Sequence, residues 1–83
     1  VDVRDREEYA QGHIAGSINI PLRELQLITD AVPDLDTPLF VHCLAGTRSA
    51  QAVMMFKRMG YTDARNIGGI QNWKGEVEKG SSW

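Results

Sequence analysis

Leu39-Phe40-Val41-His42 reads as a short buried strand that runs straight into Cys43-Leu44-Ala45-Gly46-Thr47-Arg48-Ser49, after which the apolar residues change to helical spacing as far as Met59. A strand feeding a helix through so short a turn confines the chain to a layered α/β plan. Ala52, Met55, Phe56 and Met59 fall on one face of the predicted helix, Lys57 and Arg58 lie in its last turn, and Gly60 stands where a C′ glycine belongs. The turn also leaves the first N–H groups of the helix unpaired and directed into the loop, where negative charge is favoured. The group placed there is the only cysteine of the chain.

The flanking segments extend the same plan. Val1-Asp2-Val3-Arg4 reads as the end of a strand, and Arg6 to Gln11 as a polar turn or short helix stopped by Gly12. Gly12-His13-Ile14-Ala15-Gly16 is a glycine-bracketed connection, and Ser17 to Ile20 a second short strand closed by Pro21, which suits the first position of a helix. Leu22, Leu25, Ile28 and Val32 form one apolar stripe on a helix from about Leu22 to Asp30. Residues 33–38 read as a loop, 63–67 as a fourth strand, and 70–74 as a short helix after Gly68-Gly69. The polar remainder, residues 76–83, is expected to fray. Alternating strands and helices imply a parallel sheet of four to five strands with right-handed crossovers and helices on both faces. Ligands of such folds bind beyond the carboxyl ends of the strands, where Cys43 lies.

At 83 residues the chain is expected to be a single domain, 1–83. One cysteine cannot form an internal disulfide, and two separated histidines do not make a zinc site. A net charge of -2 without a basic stripe disfavours nucleic acid, and no stretch is apolar enough to span a bilayer. A soluble protein is expected, cytoplasmic or periplasmic, and a monomer by default. With Val1 as the first residue, the expectation is that a leader was removed or that the domain was excised from a longer protein.

A cysteine is nucleophilic as its thiolate, and a helix N-terminus and a nearby cation both lower its pKa. Cys43 is expected to have both. Inward-pointing N–H groups would form an anion nest around the sulfur, with Gly46 allowing the curl. Arg48 can lay its fork of donors over an anionic substrate, and Thr47 and Ser49 can cap the helix. The ordinary fate of a lone cysteine after a core strand is to act as a small buried hydrophobe. The conjunction with Gly46 and Arg48 favours the reactive reading. Strand alternation turns His42 away from Cys43, which leaves it a surface or packing role. His13 is expected to hydrogen-bond the backbone. Trp73, Phe56 and the three methionines are expected in the core.

Two ordered sets of residues resemble the rhodanese-like sulfurtransferase family. One comprises Asp2-Val3-Arg4, Glu8-Tyr9, Gly12-His13-Ile14, Gly16 and Asn19-Ile20-Pro21. The other comprises Val41, Cys43, Gly46, Arg48-Ser49, Ala52, Gly60-Tyr61, Gly68-Gly69-Ile70 and Trp73. Together they span nearly the whole chain, although the strand and helix that usually precede Asp-Val-Arg are absent, as in the short phage-shock-protein-E-like form of the family. The resemblance implies the rhodanese fold and a persulfide enzyme without a cofactor. Cys43 would take a sulfane sulfur from thiosulfate or a low-molecular-weight persulfide and pass it to a thiol or cyanide acceptor. Arg48 would assist as the second catalytic residue. Leu44, Ala45, Gly46, Thr47 and Ser49 would form the substrate-binding cradle, and Arg4 would border its rim or bridge to Asp2 or Asp5. One arginine in the loop is expected to favour a monoanionic or organic persulfide over a small dianion.

The nearest rival is a cysteine-based phosphatase or arsenate reductase. That signature has five residues between cysteine and arginine, whereas four separate Cys43 from Arg48. The shorter loop suits a single sulfur atom better than a tetrahedral oxyanion. A non-enzymatic sulfur carrier or docking module is the other alternative, and retention of both Cys43 and Arg48 speaks for chemistry.

Overall fold

The computed structural model describes residues 1–80. In chain order its elements are α1 (Arg6–Gln11), β1 (His13–Ile14), a 3-10 stretch (Leu22–Leu27), α2 (Ile28–Ala31), β2 (Leu39–Cys43), α3 (Thr47–Arg58), β3 (Ala64–Gly69), a 3-10 turn (Ile70–Asn72) and β4 (Val77–Glu78).

β2 and β3 pair in parallel, and the sheet continues outward through single parallel bridges from His42 to Asp2 and from Asp2 to Asn19. The expected strands at 1–4 and 17–20 are thus reduced to one bridge residue each. Side-chain hydrogen bonds take over from the ladder, since Asn19 Nδ2 donates to the carbonyls of both Asp2 and Arg4. β1 and β4 form a separate antiparallel pair. The tail expected to fray is therefore held as far as residue 80: Ala15 N–H donates to Glu76 O and Gly80 N–H to Ala10 O. Residues 81–83 lie outside the described part.

The expected helix at 22–30 is a 3-10 stretch broken at Glu24 (φ -127°, ψ 31°), continued by one turn of α-helix, with Pro21 just before the first turn. Its stripe still reaches the core, where Leu25 and Ile28 join Leu39, Val41, Cys43, Ala52, Val53, Phe56 and Tyr61. Met55 departs from its expected face and is exposed, as are Met54 and Trp73, while Val53 is buried. The Trp73 ring lies against Gly75 and its Nε1 donates to Glu76 O, so it packs on its own turn. Buried apolar side chains of this kind are each worth about 1.5–3 kcal/mol, which makes α3 against β2 and β3 the main source of stability. Among the described residues no helix is long and apolar enough to cross a membrane.

On the other side of the sheet edge, Asp2, Arg4 and His42 are buried together. Arg4 binds Asp2 at 2.8 Å and also donates to Gly12 O at 2.7 Å, tying the sheet to the end of α1. His42 Nε2 lies 3.4 Å from Asp2 Oδ2. The surface alternative for His42 is thus replaced by a buried one, because the Asp2 bridge covers the face to which strand alternation turns it.

Candidate active site

Cys43 ends β2 at its carboxyl edge, and Gly46 reverses the chain into α3 with φ 104°, a left-handed conformation that strains any residue with a Cβ. This reversal turns the Gly46 N–H back to Cys43 Sγ at 3.0 Å. Ser49 Oγ lies 3.5 Å from the same sulfur. Ser49 is fully buried in the first turn of α3, and its hydroxyl is within bonding distance of Gly46 O at 3.0 Å and Asn66 Oδ1 at 2.8 Å. Neither Thr47 nor Ser49 caps the helix: Gly46 is the N-cap residue, and no side-chain cap bond forms. The Ser49 hydroxyl is instead turned to the sulfur and the loop.

β3 completes the cradle from the opposite side. A bulge opposite Val41 and His42 pairs Cys43 with Gly69, so β3 passes directly under the loop. A Cβ on Gly69 would stand 2.1 Å from Leu44 O, which shows how close the two backbones come. Asn66 bridges both parts, donating from Nδ2 to Gly46 O at 3.2 Å and accepting the Gly68 N–H at 2.8 Å.

Cys43 is 1% exposed. Burial by itself would raise the thiol pKa, but the Ser49 hydroxyl and the N–H groups of Ser49, Gly46 and Ala45 outweigh it and hold the thiol below its ordinary value. These donors carry most of the effect, and the Arg48 charge is coupled to the sulfur beside them. Arg48 points its two terminal nitrogens at the Glu8 carboxylate, at 2.7 and 3.1 Å, as a bidentate pair across the gap between α3 and α1. Arg48 is therefore held beside the loop and not laid over it. Arg4 lines a cleft of about 420 Å³ together with Glu8, Gln11, Gly12, Leu44, Ile70 and Val77. Of the two roles expected for Arg4, its donors serve the second, the bridge to Asp2. Leu44 and Ala45 are exposed at the mouth and Thr47 on the flank. His13 binds Tyr9 O through Nδ1 at 2.8 Å and stacks on the Tyr9 ring, clear of the sulfur.

Sequence reasoning missed Glu8 and Asn66 as parts of this site. Glu8 stands in the first of the two residue sets that carry the family resemblance, without a site role there, and is also the third residue after Asp5 in an Asp-x-x-Glu capping pattern, where the Asp5 N–H donates to its Oε1 at 3.1 Å. A polar Asn66 between Arg65 and Ile67 in a strand was the only hint of the other.

The Rhodanese-like domain profile matches residues 1–76. The chain is 45% identical over 73 residues to the thiosulfate sulfurtransferase PspE of Escherichia coli (strain K12), covering 87% of this chain and 70% of that protein. It is 39% identical over 77 residues to the thiosulfate sulfurtransferase GlpE of Pseudomonas paraeruginosa, covering 89% and 67%. Among solved structures, a rhodanese with anions from E. coli superposes with a TM-score of 0.90 at 44% identity, over 95% of this chain and 94% of that one. With the thiol at the end of a parallel strand and both signatures in place, the chain belongs to the rhodanese-like family, as a rhodanese-type sulfurtransferase.

Proposed function

We propose that Cys43 carries the transferred sulfur as a persulfide, with thiosulfate or a low-molecular-weight persulfide as donor and a thiol or cyanide as acceptor, and with no cofactor. The observation that carries this reading is the ring of donors around Cys43 Sγ: the Gly46 amide at 3.0 Å and the Ser49 hydroxyl at 3.5 Å, at the N-terminus of a twelve-residue helix. The names of the related PspE and GlpE support thiosulfate as a donor.

In the first half-reaction the Cys43 thiolate attacks the outer sulfur of the donor. A Cys43 S–S bond forms, and the donor's S–S bond breaks with its electron pair on the leaving sulfite or thiolate. The negative charge now sits one atom further out. The amides of Ala45, Gly46 and Ser49, at the helix N-terminus, favour it there. Ser49 tracks the charge, because its single proton can serve Asn66 Oδ1 while the sulfur is a thiol and turn to the sulfur when it is a thiolate. In the second half-reaction the acceptor attacks the outer sulfur and returns Cys43 to the thiolate. Since Cys43 is almost fully covered, only the donor's terminal sulfur enters the ring, and the rest of the donor stays in the cleft beyond Leu44.

Intact-mass measurement after incubation with thiosulfate, and separately with glutathione persulfide, tests the proposal. A one-sulfur increment that is absent in Cys43→Ser and is discharged by cyanide is the expected result. No increment with either donor refutes it, and aryl phosphate turnover above that of Cys43→Ser would favour the phosphatase.

A further inference from the structure

We infer that Glu8 is a specificity-determining residue of the sulfur-loading step, and that it sets the site against doubly charged donors in favour of singly charged donors with an organic tail. This rests on the sulfurtransferase reading of Cys43 and adds to it the class of donor and the residue that chooses it.

Loading a thiolate from a dianion gathers three negative charges within a few ångströms, and free cations are the usual means of offsetting them. The two arginines at this site are both committed. Arg4 gives Nε and a terminal nitrogen to Asp2 and that terminal nitrogen also to Gly12 O. Arg48 gives both terminal nitrogens to Glu8, whose Oε1 is further fixed by the Asp5 N–H. Glu8 stays ionised, because the Arg48 hydrogen bonds hold its carboxyl below the usual range. Each cation at the cleft is thus matched by a carboxylate, and what remains for an incoming anion is the set of loop amides. Amides in a nest suit one localised charge, as on a sulfane sulfur. The cleft that receives the rest of the donor presents Leu44, Ile70 and Val77 beside Gln11 and the Glu8 carboxylate. An apolar or neutral tail fits those walls, and a second anionic group meets Glu8.

Sulfane sulfur donors of one chemistry and different charge separate the effects. Thiosulfate is a dianion, methanethiosulfonate is a monoanion, and benzenethiosulfonate is a monoanion with an apolar ring. In each case the Cys43 thiolate forms the new S–S bond and sulfite or sulfinate leaves with the electron pair. The quantity read is the ratio of kcat/KM for thiosulfate to kcat/KM for methanethiosulfonate, which is insensitive to the fraction of folded enzyme. Glu8→Gln uncovers the Arg48 charge, and the ratio is expected to rise about five- to tenfold at low salt and to fall back as salt is added. Arg48→Gln leaves Glu8 unmatched, and the ratio is expected to fall. Benzenethiosulfonate is expected to load wild type faster than methanethiosulfonate, and Leu44→Ser to reduce that advantage. A ratio that stays within about twofold of wild type in Glu8→Gln, or that moves in the same direction in both variants, overturns the assignment of Glu8. Persulfide formation in wild type keeps that failure distinct from failure of the sulfurtransferase reading, for which no donor of the three would load Cys43.

Discussion

Gly68 and Gly69 are adjacent in β3 and demanding for opposite reasons, and the difference gives a test of how the cradle is built. Gly69 has ordinary extended backbone angles (φ -119°, ψ 149°), so alanine is conformationally acceptable there, but its Cβ would lie 2.1 Å from Leu44 O and 2.6 Å from Leu44 C and Ala45 Cα. All three obstacles are backbone, which no rotamer change can clear, and relief requires the loop to move by about 1 Å. Gly68 is the reverse case: φ is 96°, yet nothing lies within 4 Å of its Cβ position. Gly68→Ala should cost only the left-handed strain, about 1 kcal/mol. Gly69→Ala should cost about 3 kcal/mol, the upper end for overpacking. For a domain of this size about 4–8 °C of Tm accompanies each kcal/mol, giving falls of about 4–8 °C and about 12–24 °C. Urea unfolding followed by tryptophan fluorescence measures both. The displaced loop should also draw the Ala45 amide from the sulfur, lowering the rate of persulfide formation by about tenfold in Gly69→Ala and little in Gly68→Ala. Equal destabilisation by the two variants, or undiminished loading in Gly69→Ala, would refute the close approach of β3 as the element that shapes the loop.

Ser49→Ala removes a hydroxyl that lowers the Cys43 pKa, so the pH profile of alkylation by iodoacetamide should move to higher pH, and no shift or a shift downward would contradict the role given to Ser49. Asn66→Ala loses bonds to Gly46 O, Ser49 Oγ and Gly68 N–H and should destabilise by about 1–2 kcal/mol in urea unfolding while slowing sulfur loading. Burial opposes ionisation of Asp2, but the approach of the His42 ring, the hydrogen bonds from Arg4 and the Arg4 charge prevail and hold its carboxyl well below the usual range. Its folded pKa is depressed, so its contribution is complete above the usual carboxylate range, at about pH 4–5, and is lost as pH falls further. Unfolding free energy should therefore decline on acidification, and Asp2→Asn, which strands the buried Arg4, should be about 3 kcal/mol less stable at neutral pH with a shallower acid slope. Tyr61→Phe should cost about 1 kcal/mol by leaving Val32 O without its 2.6 Å partner.

The elements legible in the sequence were those with a local cause. The run from Leu39 to Gly60 could be read because a strand, a left-handed glycine and an amphipathic helix each leave a mark within a few residues, and the structure changes the helix start only from Ser49 to Thr47. The ends of the sheet were less legible. Asn19 reads as a strand residue, yet its side chain does the bonding that a ladder would do, and residues 76–80 read as a polar tail because their order comes from β1, more than sixty residues earlier. Met55 and Trp73 were misplaced for a related reason. Periodicity marks a face as apolar without showing where the sheet it covers comes to an end.

The same distinction between local and distant causes applies to the chemistry of the site. Arg48 is five positions from Cys43, and that closeness couples its charge to the thiol. The carboxylate that takes up Arg48 lies forty positions away, where it passes for a helix-capping glutamate. What activates the sulfur is then the nest of amides with Ser49, braced by Asn66 and Gly69 from β3. What faces the donor is the cleft formed by α1, Leu44 and Val77. The two are supplied by different parts of the chain, so they should vary independently. Ser49→Ala should slow loading from every donor by a similar factor and leave the thiosulfate to methanethiosulfonate ratio unchanged, whereas Glu8→Gln should shift the ratio and, by baring the Arg48 charge, move the pH profile of Cys43 alkylation to lower pH, opposite to Ser49→Ala. A double variant should show both effects multiplied together, since the Glu8 carboxylate has no hydrogen bond to the sulfur or to Ser49 among the described contacts. A strong departure from that product would mean that the guanidinium does reach the thiolate when a donor is bound.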